Sequence, residues 1–122
     1  MSSPKIPLIY IIEDDDSFAR CLASYCSPAQ TAIFSNIIDV INHLDSPLPD
    51  LIFLDVLLTG PDGFTLLNEL VSYPDTAAIP IVIVSSLDLR NRDLSAYGVV
   101  ACLAKDTLTP KEVLYYVHRY TH

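Results

Sequence analysis

Basic side chains are scarce in this chain: seven Lys and Arg stand against fifteen Asp and Glu, for a formal net charge of −8. Phosphate contacts to nucleic acids are made largely by Lys and Arg, so this balance argues against direct binding of DNA or RNA and favours cations or basic partners. Long apolar runs are missing too. No stretch approaches the ~20 residues that cross a bilayer, and the N-terminal MSSPKIPLIY has neither the charged nor the apolar region of a signal peptide. A cytoplasmic protein with no membrane partner is expected. The three cysteines, Cys21, Cys26 and Cys102, cannot all pair, and without a secretory signal reduced thiols are expected. Cys21 and Cys26 lie five apart with no second ligand pair, which argues against a metal site; core or near-core packing is expected for each of the three. Repeats, low-complexity stretches and internal linkers are absent, and 122 residues are expected to form a single domain, 1–122.

What is present is a strong core-forming pattern, 51% hydrophobic against 18% charged residues, the balance of a packed chain rather than a disordered one. Leu8–Ile12, Leu51–Leu54, Ile79–Val84 and Val99–Ala104 are short, continuous apolar runs of the kind that form strands buried on both faces. Thr31–Phe34 is a weaker fifth. Between them lie helical patterns of about ten residues: Ser17–Tyr25 before Pro28, Ile37–Leu44 after a Ser35 cap, Phe64–Val71 before Pro74, and Asp88–Tyr97 ending at Gly98. In the last helix, TPKE puts Thr109 at the cap, Pro110 at the first position and Glu112 where a capping box requires it. Strand and helix thus alternate five times, which predicts an α/β fold with a parallel sheet, helices on both faces and right-handed crossovers. Ligands of such folds gather beyond the carboxyl ends of the strands.

Four acids in a row, Glu13 to Asp16, close the first of these strands. A helix cap requires one or two, whereas carboxylates ~4 Å apart repel by roughly 4 kcal/mol at an effective dielectric near 20. A parallel sheet would bring Glu13 and Asp14, Asp55, Ser85 and Lys105 to one edge, because each follows or ends a different strand. Singly, Ser85 is an ordinary strand-end hydroxyl, Lys105 a surface charge, and Asp55 the start of a loop. Jointly they form three carboxylates, a hydroxyl and an ammonium, a combination that folding does not require. Three carboxylates suit a hard divalent cation, and the octahedral preference of Mg²⁺ fits acids, water, a carbonyl and a phosphate oxygen. Asp55 is then positioned as a nucleophile that forms an aspartyl phosphate, with Lys105 and the metal offsetting charge on the phosphoryl oxygens and Ser85 donating a hydrogen bond to them.

The segments IIEDD, DLIFLDVLLTGPDGF, IPIVIVSS and CLAKD, in this order and spacing from about Leu8 to Arg119, resemble the receiver domain of two-component response regulators. The resemblance implies a flavodoxin-like doubly wound sheet, (βα)5, of strand order 2-1-3-4-5. It implies phosphoryl transfer from a histidine kinase or phosphotransfer protein to Asp55, with Mg²⁺ held by Glu13, Asp14, Asp55 and the backbone carbonyl of Leu57, and Ser85 and Lys105 binding the phosphoryl group. The domain would act as a switch on a downstream effector protein or fused output domain, turning over only its own phosphate rather than working as an enzyme on a separate substrate. Three positions depart from the family pattern: Thr59 where proline is common, Cys102 where an aromatic switch residue is common, and Asp106 in place of a proline after the lysine. A non-proline cis bond costs ~3 kcal/mol, so Lys105–Asp106 is expected to be trans. Two other functions compete with the switch. A phosphate-independent interaction module is favoured by Cys102 and disfavoured by the complete acid, hydroxyl and lysine set. A flavin-binding protein is disfavoured because EDDDS would repel a flavin phosphate.

Overall fold

The computed structural model describes residues 6–44, 47–58, 62–87, 89 and 92–121. The apolar runs form five strands, β1 (Leu8–Ile12), β2 (Gln30–Phe34), β3 (Leu51–Leu54), β4 (Ile81–Ser85) and β5 (Val99–Ala104). All pairings are parallel, in the order β2-β1-β3-β4-β5. β3 and β4 are buried along their whole length, as continuous apolar runs require when both sheet faces are covered.

Among the described residues, four helices follow from the intervening patterns, α1 (Asp16–Tyr25), α2 (Ile37–Asn42), α3 (Gly63–Val71) and, last in the chain, α5 (Pro110–Thr121), and a short α4 (Pro74–Ala77) is added between α3 and β4. One core layer joins Ile12, Ile52, Leu54 and Ile83 to α2 and α3 through Ile37, Val40, Leu66 and Leu67. The opposite layer joins Ile9, Ile11, Phe53 and Val84 to α1 and α5 through Ala19, Leu22, Val113 and Val117. Each fully buried Ile or Leu contributes about 1.5–3 kcal/mol, so the two layers fix the sheet between its helices and with it the strand ends.

Local polar groups set the helix ends. Thr109 and Glu112 close the predicted capping box: Thr109 Oγ1 accepts from Glu112 N–H at 3.2 Å, and Glu112 Oε1 accepts from Thr109 N–H at 3.1 Å. α3 starts hard against the end of β3. A Cβ on Gly63 would lie 2.6 Å from Val56 Cα, so only glycine lets the helix close onto the loop that follows Asp55.

Several sequence expectations are corrected. α2 is capped by Asn36 rather than Ser35, since Asn36 Oδ1 accepts from Asp39 N–H at 2.9 Å, and it ends at Asn42 rather than Leu44. α1 begins at Asp16, one residue early, because Asp15 supplies the cap. β2 gains Gln30. β4 begins at Ile81, because Pro80 has no N–H to give the ladder. The helix expected over Asp88–Tyr97 is absent where it can be followed. Asp88, Arg90 and Asn91 lie outside the described residues, Leu89 and Arg92 to Leu94 are not helical, and only Ser95–Tyr97 makes a 3₁₀ turn. Asp93 explains part of this, because its carboxylate accepts from both Ser95 N–H (3.1 Å) and Ser95 Oγ (2.6 Å), a local bond that competes with helix. Gly98, at φ 82°, closes the turn as a left-handed residue should. Pro74, expected to stop α3, instead opens the extra α4 at its first turn. Cys26 is buried and Cys102 half-buried, but Cys21 is exposed: α1 buries Ala19 and Leu22, and position 21 falls on the other face. Thr59 lies outside the described residues.

Candidate functional site

The register brings the candidate residues together. Leu54 of β3 is paired with Ile12 on one side and Ile83 on the other, and Ser85 is paired with Ala104. Glu13, Asp55, Ser85 and Lys105 therefore share the carboxyl edge of the sheet. Two backbone bonds extend the ladder beyond the strands: Glu13 N–H donates to Phe34 O at 2.9 Å, and Asp55 N–H donates to Ile12 O at 3.0 Å. These bonds hold both carboxylates in place before any side-chain contact is counted.

Glu13, Asp55 and Ser85 are 2%, 6% and 2% exposed. Lys105 Nζ lies 3.2 Å from Asp55 Oδ2 and forms an ion pair with Glu13 Oε1. The other oxygens are also engaged: Glu13 Oε2 accepts from Asp15 N–H at 3.3 Å, and Asp55 Oδ1 accepts from Leu57 N–H at 2.9 Å. Ser85 Oγ accepts from Leu87 N–H at 3.1 Å. One carboxylate oxygen each of Glu13, Asp14 and Asp55 lie within 4.8 Å of one another, a cluster of hard donors that fits a divalent cation in size and chemistry.

Burial pushes the Glu13 carboxyl upward, and the nearby charge of Asp55 adds to the rise; hydrogen bonds from Lys105 and the Asp15 N–H only partly offset it. For Lys105, burial acts to lower the pKa, but the hydrogen bonds and charges of Glu13 and Asp55 outweigh it and leave the ammonium above its ordinary value. The lysine is thus fixed as a cation between two acids.

The four acids divide into separate tasks. Glu13 and Asp14 belong to the cluster, and Asp15 caps α1 by accepting from Phe18 N–H at 3.2 Å. Asp16 makes an exposed pair with Arg20 at 2.9 Å. Lys105–Asp106 is trans, since the single cis bond among the described residues precedes Pro28. A groove of about 510 Å³ adjoins the cluster, running from Ser85 past Cys102 to Glu112.

Sequence reasoning missed Phe18. Its ring centroid lies 4.6 Å from Lys105 Nζ, although the two residues are far apart in the chain. The available signal was its position three residues after the Asp15 cap, which turns the side chain back over the start of α1.

The family described as response regulator receiver domain matches residues 9–117 of the chain. The chain belongs to that family. It is 37% identical over 82 residues to the transcriptional regulatory protein BaeR of Escherichia coli O6:H1, a match covering 66% of this chain and 33% of BaeR. It is 49% identical over 43 residues to the response regulator PleD of Caulobacter vibrioides, covering 35% of this chain and 10% of PleD. The chain thus spans a third or less of these curated relatives. Among solved structures, a candidate response regulator from Chloroflexus aurantiacus J-10-fl superposes with a TM-score of 0.81 at 27% identity, covering 96% of this chain and 98% of the other. The signal receiver domain of a histidine kinase from Syntrophus aciditrophicus gives 0.80 at 27% identity, with 94% and 89% coverage. The receiver fold with its 2-1-3-4-5 sheet is therefore the frame in which the acid cluster sits.

Proposed function

We propose that this receiver domain is a phosphorylation switch in which Asp55 accepts a phosphoryl group from a histidine kinase or phosphotransfer protein in the cytoplasm. The observation that carries this reading is the pairing of buried Asp55 with Lys105 at 3.2 Å, beside an acid cluster that no packing role requires. An Asp55 carboxylate oxygen attacks phosphorus as the bond from phosphorus to the donor imidazole nitrogen breaks, and that nitrogen keeps the electron pair. Positioning and charge stabilisation supply most of the catalysis in such transfers. The Leu57 N–H holds Asp55 Oδ1 and so orients the carboxylate. Lys105 moves its charge from Asp55 to the incoming phosphoryl oxygens, and Ser85, at the end of the neighbouring strand, donates its hydroxyl to them. Mg²⁺, held by Glu13, Asp14, Asp55 and the Leu57 carbonyl, would neutralise negative charge on the phosphoryl oxygens.

The domain works on no substrate but its own phosphate, and it signals to an effector protein or fused output domain, in keeping with the greater length of its relatives. Incubation with acetyl phosphate and Mg²⁺, followed by intact mass spectrometry, tests the reading. Wild type is expected to gain one phosphate and Asp55→Asn none. An unlabelled wild type would leave the fold serving as a phosphate-independent interaction module.

A further inference from the structure

Lys105 is held on three sides. Glu13 and Asp55 take two of its N–H directions, and the Phe18 ring stands against the ammonium with its centroid 4.6 Å from Nζ. We infer that Phe18 is a positioning residue for Lys105, an aromatic wall on which the ammonium pivots from the two carboxylates to the phosphoryl group. This role rests on the phosphoacceptor reading of Asp55.

The ring is itself well fixed. Phe18 N–H is bonded to the Asp15 cap at 3.2 Å, and the side chain packs on the core layer formed by α1 and α5. The chain therefore carries an aromatic from the first turn of α1 to the lysine that follows β5. A cation within about 6 Å of a ring centroid is attracted by the negative face of the ring, more strongly where water is partly excluded. At 21% exposure of the Lys105 side chain, water is partly excluded. A free lysine side chain also carries substantial rotamer entropy. A wall that keeps the ammonium near the reacting oxygens removes part of that disorder before the phosphoryl donor arrives, and an attraction to a ring face survives rotation of the N–H bonds from Asp55 to a new acceptor. A carboxylate in the same place would compete with the phosphoryl oxygens. An aliphatic residue would fill the space but not attract the charge.

Phe18→Leu preserves bulk and removes the ring, whereas Phe18→Tyr restores it. The first-order rate of Asp55 labelling at saturating acetyl phosphate and Mg²⁺ is expected to fall roughly 2- to 30-fold in Phe18→Leu and to return toward wild type in Phe18→Tyr. Independently of labelling, the ε-methylene protons of Lys105 should show an upfield ring-current displacement in wild type and Phe18→Tyr that is lost in Phe18→Leu. Labelling of Phe18→Leu at the wild-type rate overturns the inference, as does a tyrosine variant that regains the displacement without the rate. A wild-type spectrum without the displacement overturns the geometry on which the role rests. Failure of the phosphoacceptor reading has a different signature, an unlabelled wild type or a labelled Asp55→Asn, and the positioning role falls with it.

Discussion

Lys105 Nζ lies between two buried carboxylates, 3.2 Å from Asp55 Oδ2 and paired with Glu13 Oε1. Neither acid could be carried comfortably at that depth without it, because a buried carboxylate with no paired cation keeps its desolvation cost uncompensated. The lysine therefore supports the resting fold as well as the proposed chemistry. Lys105→Ala is expected to lower stability by about 1–3 kcal/mol, less than for a fully enclosed pair because the lysine side chain keeps 21% of its exposure. Urea denaturation measures the loss, and a midpoint equal to wild type would show that the pair contributes nothing to the fold.

Glu13 gives a prediction with a defined sign. Its pKa is raised in the folded state, chiefly by burial, so the native state holds this proton more tightly than the unfolded chain does. The ionised form then costs stability above the unfolded value near 4.5, and that cost fades as pH falls through the folded value. Glu13→Gln should match or exceed wild type in stability at pH 7, and its advantage should shrink steadily toward pH 4. Urea midpoints across that window check it, and an advantage that grows on acidification would contradict the assigned direction.

The strands were legible because buried parallel strands are written as continuous apolar runs, and LIYII, LIFL and IVIVS have almost no other reading. Asp55, Ser85 and Lys105 were legible for the same reason, since each is the first polar residue where a run stops. Helix detail was harder to read. Asn36 and Ser35 are both good caps by type, and only the backbone decides between them. The segment before Gly98 looked helical, yet Asp93 binds Ser95 instead. The place of Phe18 in the first turn of α1 is legible from the Asp15 cap, but its contact with Lys105 is not, because the two residues are far apart in the chain and no local pattern encodes their meeting.

Mg²⁺ should raise the thermal midpoint of wild type and shift amides in the loops after β1 and β3, because a cation relieves the repulsion among Glu13, Asp14 and Asp55 and binds only the folded chain. Asp14→Asn should need severalfold more metal for the same shift. Thermal melts and two-dimensional NMR titration provide both readouts. Unchanged spectra at millimolar Mg²⁺ would show that these acids hold no metal.

Cys102 makes a prediction about output. This thiol is half-buried, packs on the core and lines the groove beside Ser85. It would offer no ring to withdraw if Ser85 turned to a phosphoryl group as proposed, and a switch responds only to the difference in interaction between its two states. Phosphorylation should therefore shift the amides near Ser85 and Lys105 strongly, and those of Tyr97 and Tyr115 only modestly. Comparable shifts at all four would show that the outer face responds without an aromatic.

Phosphate is expected on one carboxylate alone, that of Asp55. Borohydride reduces an acyl phosphate to the alcohol, so an aspartyl phosphate becomes homoserine and leaves a permanent mark in the chain. After labelling with acetyl phosphate and Mg²⁺, reduction and peptide mapping should find homoserine at position 55 and at no other acid. Homoserine at Glu13, Asp14 or elsewhere, or a phosphate that survives borohydride untouched, would contradict the claim.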